Sequence, residues 1–135
     1  MALIESWLKG SLEFDRRVWG RLRRVLREEA SGKCAYCEVA TASASWGAVE
    51  HFRPRSLYWW LAYESSNLLF ACEICNSGFK RDHFPVRARR ARGPQVPRPG
   101  LRASAREVMV SMGGRHSSPG LLRREGPLLL NHYEV

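Results

Sequence analysis

The sequence lacks long apolar runs and any segment resembling a secretion signal. No stretch approaches the roughly 20 apolar residues that a membrane-spanning helix needs. The first residues, M-A-L-I-E-S-W-L-K-G, place no basic region before an apolar one. We therefore expect a cytoplasmic protein without a membrane partner. Thiols stay reduced in the cytoplasm, which makes a disulfide framework the less favoured use of the four cysteines.

Acidic residues are also scarce relative to basic ones. The sequence has 13 acidic and 22 basic side chains, which gives a formal charge of +9. The deficit is sharpest in residues 86–106, which contain seven arginines, several prolines and glycines, and no acid. This composition predicts a mobile basic loop rather than a core element. The charge favours a polyanionic partner, with nucleic acid ahead of an anionic membrane surface.

A chain of 135 residues with 44% apolar content predicts one domain with a small core, and the helices and strands expected along it make its class α+β. Residues 12–29 have the spacing of an amphipathic helix, which Ser31-Gly32 ends. Residues 47–52 and N-L-L-F-A predict short strands, the aromatic run 57–63 predicts core packing, and a short helix is expected from about Asn76 to before Pro85. We divide the chain into an N-terminal helical segment (1–30), a core (31–85) and a basic loop with a C-terminal tail (86–135).

Two Cys-x-x-Cys pairs, Cys34/Cys37 and Cys72/Cys75, are separated by 34 residues. Each pair can present two thiolates, and together they match one tetrahedral zinc site. A redox use of one pair is less favoured because no βαβ pattern surrounds it. Four thiolates leave no open coordination position, so we expect a structural zinc and chemistry elsewhere.

The chemistry predicted between and beside these pairs rests on Glu50, His51, Asn67 and Asn76. Glu50 and Asn76 offer oxygen donors, which suit Mg²⁺. The imidazole of His51 can deprotonate a water molecule, and the amide of Asn67 can orient that imidazole. Adjacent strand residues point to opposite faces, so Glu50 and His51 share a site only where the strand ends or bulges. Alone, a Glu-His pair would indicate an ordinary surface strand.

Three stretches, C-A-Y-C-E, V-E-H-F-R-P-R and N-L-L-F-A-C-E-I-C-N-S-G-F-K, together resemble an HNH endonuclease with a four-cysteine zinc clip. The resemblance covers about residues 30–85 and implies a ββα-metal core around one divalent ion. It implies that His51 is the general base, that Asn67 orients it, and that Glu50 and Asn76 hold Mg²⁺ or Mn²⁺. Many relatives have aspartate and histidine at these two metal positions, and His83 is an alternative metal or phosphate contact.

The resemblance is closest to HNH proteins of Septu-type anti-phage systems and some retrons, through Y-W-W-L-A-Y-E, H-F-P and E-G-P-L-L-L-N. It implies a DNA-cleaving defence effector that works with an ATPase partner subunit, although the chain ends where relatives usually continue. The alternatives are a non-catalytic zinc-stabilised nucleic-acid-binding module or a partner-docking subunit. Candidate DNA contacts are Arg53, Arg55, Lys80, Arg87, Arg89, Arg90 and Arg92.

Overall fold

The computed structural model describes residues 14–41, 46–93, 121 and 124–129. Helix α1 (Arg16–Glu29) precedes strand β1 (Ala48–His51) and strand β2 (Leu68–Ala71), which pair antiparallel from Ala48↔Ala71 to His51↔Leu68. Two short 3₁₀ turns, Trp59–Leu61 and Ser65–Asn67, lie between the strands, and a π-helical segment, Ile74–Lys80, follows β2. The described residues form a small α+β fold, as predicted.

Helix α1 confirms the predicted amphipathic helix, although its apolar face is narrower than the sequence suggested. Asp15 caps the helix by accepting a hydrogen bond from the Arg17 backbone N–H at 3.0 Å. Trp19 and Leu26 are buried, whereas Val18 and Val25 are exposed. The helix packs on both strands. Trp19 therefore belongs to the core.

Strand β2 is buried along its whole length because it has core on both faces. Leu69 packs in a cluster with Phe52 and Phe84, while Leu68 and Phe70 pack with Trp19 and other residues of a second cluster. Alternate residues of a strand point to opposite faces. An apolar residue is therefore favoured at each position, which explains why the unbroken apolar run L-L-F-A forms a strand.

The aromatic run at 57–63 packs in the core, as predicted. Tyr58, Trp60, Leu61 and Ala62 are all buried. Tyr58 contacts both Trp60 and Phe84, with ring centroids 5.5 Å apart in each pair. The residues that connect the two strands therefore pack in the same cluster as Leu69, Phe52 and Phe84.

The E-G-P-L stretch at 125–128 pairs with residues that follow the π-helical segment. Backbone hydrogen bonds join Arg87 to Gly126, Ala88 to Glu125 and Leu128 to Pro85 at 3.0 Å each. Val86 and Pro127 form an isolated β-bridge. The chain thus returns to the core after the basic region, most of which, from residue 94, lies outside the described residues.

No helix among the described residues combines the length and apolar character needed to cross a membrane.

Candidate functional site

The four cysteines come together at one end of the sheet. Their sulfur atoms all lie within 4.8 Å of one another, and Cys37 Sγ is 3.9 Å from Cys72 Sγ. Sulfur atoms sharing one zinc through bonds of ~2.3 Å stand about 3.8 Å apart in a tetrahedron. The cluster could therefore hold a zinc ion. Among the described residues, it is the one group of three or more His, Cys, Asp or Glu side chains this close together.

Backbone N–H groups donate hydrogen bonds to two sulfur atoms of this cluster. The N–H of Tyr36 donates to Cys34 Sγ, and the N–H of Cys75 donates to Cys72 Sγ, each at 3.4 Å. Burial raises the pKa of Cys34, but backbone hydrogen bonds outweigh it and lower that pKa to about 7. The Ala35 N–H also donates to the Phe70 carbonyl at 2.9 Å, which fixes the first cysteine pair to β2.

A cleft of about 460 Å³ lies at the end of β1, and Glu50, His51 and Asn76 all line it. Glu50 pairs with Leu69 and His51 with Leu68, so the two side chains leave opposite faces of the sheet. The strand ends at His51, and the cleft extends around that end. Three of the residues predicted to form a site are therefore brought to one cavity.

His51 is held by a backbone carbonyl and an aromatic ring. Its Nε2 lies 3.0 Å from the Ala62 carbonyl oxygen, which can only accept, so Nε2 carries the proton. Among the described residues, no hydrogen bond engages Nδ1. The Trp19 ring packs edge-on against the imidazole, with the two ring centroids 4.7 Å apart. Its own Nε1–H donates to the same Ala62 carbonyl. These contacts leave the Nδ1 lone pair for chemistry.

The electrostatic setting keeps His51 neutral. Burial lowers the pKa of His51 to about 4. The positive charges of Arg55 and Lys80 act in the same direction, and the hydrogen bond to Ala62 opposes them. A neutral imidazole at neutral pH is the form that can accept a proton.

Glu50 is buried and paired. Its Oε1 lies 2.5 Å from Lys80 Nζ and accepts a hydrogen bond from the Tyr36 hydroxyl at 3.3 Å. Burial raises the pKa of Glu50, and the Lys80 charge counteracts this shift. Tyr36 stands between Cys34 and Cys37, so this contact connects the cysteine cluster directly to the cleft.

Asn76 reaches the cleft from the π-helical segment. Its N–H donates to the Cys72 carbonyl, and its own carbonyl accepts from the Arg81 N–H, both at 2.9 Å. The predicted helix after β2 is therefore present, but it begins at Ile74 and ends at Lys80. Glu50 and Asn76 both offer oxygen donors, the chemistry that Mg²⁺ prefers. That these two side chains hold a divalent ion stays a prediction.

The side chain of Asn67 makes no hydrogen bond to His51. Its side-chain oxygen accepts from the Arg53 N–H at 2.8 Å, and its Nδ2 donates to the carbonyls of Arg53 and Leu61. The orienting contact that we predicted from Asn67 to His51 comes from the Ala62 carbonyl instead. Asn67 holds the loop after His51 in place because its buried amide must find partners in the backbone.

Two predicted phosphate contacts are wrong because the side chains are buried. Arg53 is fully buried and lies 3.4 Å from Glu125. Lys80 is 7% exposed and bound to Glu50. Each cation is paired with a buried carboxylate inside the protein and is shielded from a phosphate in solvent.

His83 lies beyond the end of the π-helical segment, is exposed, and is not among the residues lining the cleft. The structure therefore places this alternative metal or phosphate contact outside the cleft that Asn76 lines. Arg87, Arg89, Arg90 and Arg92 are exposed, and their role in DNA binding stays a prediction.

Over about half its length the chain matches two proteins named Septu protein PtuB. It is 33% identical over 88 residues to one from Bacillus mycoides (strain KBAB4), covering 54% of this chain and 30% of the relative. It is 37% identical over 75 residues to one from Bacillus thuringiensis, covering 53% and 29%. Over these residues the chain is similar to proteins named Septu protein PtuB.

The chain spans less than a third of the length of these Septu relatives. No protein-family profile matches the sequence, and no solved structure matches it. The relationship to Septu proteins predicted from the sequence is thus supported, and membership of the HNH family stays a prediction.

Several residues of the cleft were not predicted from the sequence. Arg16, Trp19, Arg81 and Asp82 line it beside the predicted Arg55. Arg55 lies over the Trp19 ring, with its guanidinium carbon 4.9 Å from the ring centroid. The amphipathic pattern of α1 placed Trp19 on the apolar face, but no sequence signal indicated that this face borders the cleft.

Proposed function

We propose that the chain is a metal-dependent endonuclease of the HNH type that hydrolyses phosphodiester bonds in DNA. The observation that carries this proposal is the shared cleft. It brings an imidazole with a free Nδ1 together with the two oxygen donors of Glu50 and Asn76. A nearby proton acceptor and a pair of hard ligands are the parts that metal-assisted phosphodiester hydrolysis needs.

In this proposal His51 acts as the general base. The Ala62 carbonyl fixes Nε2–H, so Nδ1 takes the proton of a water molecule aimed at phosphorus. Glu50 and Asn76 would hold Mg²⁺ or Mn²⁺, and a bound ion would supply stabilisation of negative charge on the phosphate and the leaving oxygen. Arg55 stands on the rim and contacts a neighbouring phosphate.

The biological role we propose is anti-phage defence, since the chain is related to Septu proteins. We further propose that it acts with a partner subunit, an ATPase as the resemblance to Septu-type systems implies. The positive charge of the chain supports a nucleic-acid substrate. The four cysteines hold zinc and maintain the cleft through Tyr36.

A nicking assay on supercoiled plasmid tests the proposed activity. With Mg²⁺ or Mn²⁺ the wild-type chain cleaves, and His51→Ala lowers the rate by roughly 10²–10⁴-fold, the usual contribution of a general base. Arg24→Ala is the control, because this exposed residue of α1 is not among the residues lining the cleft. Salt-dependent DNA binding without cleavage would instead favour the non-catalytic binding module.

A further inference from the structure

One side of helix α1 carries three arginines in a line. Arg16, Arg23 and Arg27 recur at spacings that place them within an arc of about 40° on a helix of 3.6 residues per turn. At a rise of 1.5 Å per residue, the line is roughly 16 Å long. Arg16 and Arg23 are exposed and Arg27 is half-exposed. We refer to these three residues as the arginine stripe.

The arginine stripe begins at the cleft and leads away from it. Arg16 is among the residues that line the cleft, whereas Arg23 and Arg27 are not. These two lie further along the same helix, toward its C-terminal end. A polyanion that leaves the cleft past Arg16 along α1 would therefore meet the guanidinium groups of Arg23 and Arg27 next.

The acidic residues around α1 are placed away from the stripe. Asp15, which caps the helix, pairs with Arg17, and Glu28 in the last turn pairs with Arg24. Residues 16–27 contain no acidic side chain. The stripe therefore presents one sign of charge along its whole length.

Gly20 lies beside the stripe, about 20° around the helix from Arg27 and about 40° from Arg16. It is exposed, and no described residue lies within 4 Å of the position that a Cβ would take. Its backbone is helical, so neither a left-handed conformation nor close packing explains a glycine there. Glycine in a helix interior is less stable than alanine. What the missing side chain does provide is room for another molecule to approach the helix closely.

We propose that the arginine stripe and Gly20 form a second contact surface for duplex DNA, which holds the sugar–phosphate backbone beyond the cleft. This inference rests on the proposed function, because it continues the path of the substrate past Arg16. Guanidinium groups bind phosphate oxygens through paired, charge-assisted hydrogen bonds. Contacts to phosphates fix the orientation of a protein on a duplex without reading its sequence. The surface therefore positions the duplex and does not select a sequence.

Duplex affinity can be measured without cleavage. The zinc-loaded chain carrying His51→Ala is titrated onto a short fluorescent duplex, and anisotropy is followed over a salt series without added Mg²⁺ or Mn²⁺. Arg23→Gln and Arg27→Gln should each reduce the magnitude of the log–log slope by roughly 0.9, the value of one phosphate contact. Arg21→Gln is the matched control. This exposed residue of α1 lies about 120° or more around the helix from the stripe, and its substitution should leave the slope nearly unchanged.

Gly20→Leu tests the close approach of the backbone. Leucine is a better helix former than glycine, so the urea midpoint should not fall. Duplex affinity should fall about tenfold, which corresponds to the loss of one charge-assisted hydrogen bond. Val25→Leu adds bulk at an exposed position on another side of α1 and should not change the affinity. Unchanged affinity in Gly20→Leu would remove Gly20 from the contact surface.

The outcomes separate this inference from the proposed function. Equal slopes for Arg21→Gln and the two stripe variants, in a chain whose wild type cleaves plasmid, overturn the inference in favour of an acidic protein partner and leave the function standing. Reduced slopes in the stripe variants only, in a chain whose wild type does not cleave, support the contact surface and overturn the nuclease. A wild type that neither cleaves nor binds duplex overturns both proposals.

Discussion

Arg53 and Glu125 form an ion pair in the core, with Arg53 Nε 3.4 Å from Glu125 Oε2 and neither side chain exposed. Glu125 Oε1 also accepts from the Tyr58 hydroxyl at 2.8 Å and from the Ala91 N–H at 2.6 Å. The guanidinium of Arg53 lies within 5.5 Å of the ring centroids of Phe52 and Phe84. The Glu125 carboxylate therefore connects its own segment to Arg53, which lies 72 positions earlier in the loop after His51.

Glu125→Ala should strongly destabilise the fold. Removing one member of a buried ion pair costs about 3–5 kcal/mol, because the remaining charge is left buried without its counter-ion. Urea unfolding followed by tryptophan fluorescence measures the loss. Glu73→Ala, at an exposed position, is the matched control and should change the midpoint little. Equal midpoints for the two variants would contradict the structural role of Glu125.

Stability should fall at alkaline pH through Tyr58. Burial and the hydrogen bond to Glu125 raise the pKa of Tyr58 above its usual value. The folded state therefore keeps a proton that the unfolded state releases above about pH 10. This contribution is fully present below that pH and is lost as pH rises toward the folded pKa. Tyr58→Phe should flatten the alkaline decline of the urea midpoint, and an unchanged slope would contradict this assignment.

The cysteine cluster should bind one zinc ion per chain. Metal analysis of the folded, reduced protein should find it, and Cys72→Ser should unfold or aggregate the chain because zinc binding and folding are coupled. A strong chelator should lower the melting temperature of the wild type. A folded, reduced chain without zinc would show that the cluster does not need the metal.

Asn76→Ala and His83→Ala decide the second ligand of the proposed cleft ion. We expect Asn76→Ala to weaken cleavage, with partial rescue at high Mn²⁺, because Asn76 lines the cleft. His83→Ala should cleave normally, since His83 is exposed and absent from the cleft lining. Rates on plasmid at several Mn²⁺ concentrations provide the comparison. A greater loss in His83→Ala would reverse the assignment.

The arginines of the basic region should control the salt dependence of DNA affinity. On duplex DNA the log–log slope is roughly −0.9 per phosphate neutralised. Replacing Arg87, Arg89, Arg90 and Arg92 together should flatten the slope and leave the cleavage chemistry intact, as should replacing Arg98, Arg102 and Arg106. Fluorescence anisotropy over a salt series measures the slope. An unchanged slope would assign these arginines to a protein partner.

The sequence alone determined the elements that depend on local pattern. The apolar spacing in residues 12–29 matches the helical period and predicted α1. The run N-L-L-F-A is typical of a strand that is buried on both faces and predicted β2. The paired Cys-x-x-Cys spacing predicted the cluster of four sulfur atoms, because each pair sets its own local geometry. The side-chain chemistry of Glu50, His51 and Asn76, and the resemblance of the surrounding stretches to HNH endonucleases, predicted that these residues share a site. Their roles in that site stay predictions.

Only the tertiary structure decided which charges are buried and what orients His51. Arg53 and Lys80 look like surface cations in the sequence, yet their partners are Glu125 and Glu50. The Nε2–H of His51 donates a hydrogen bond to the Ala62 carbonyl and not to the Asn67 amide. Every residue has a backbone carbonyl and many have charged side chains, so composition cannot identify such partners. Their positions depend on contacts between residues distant in the chain, which exist only after the core has packed.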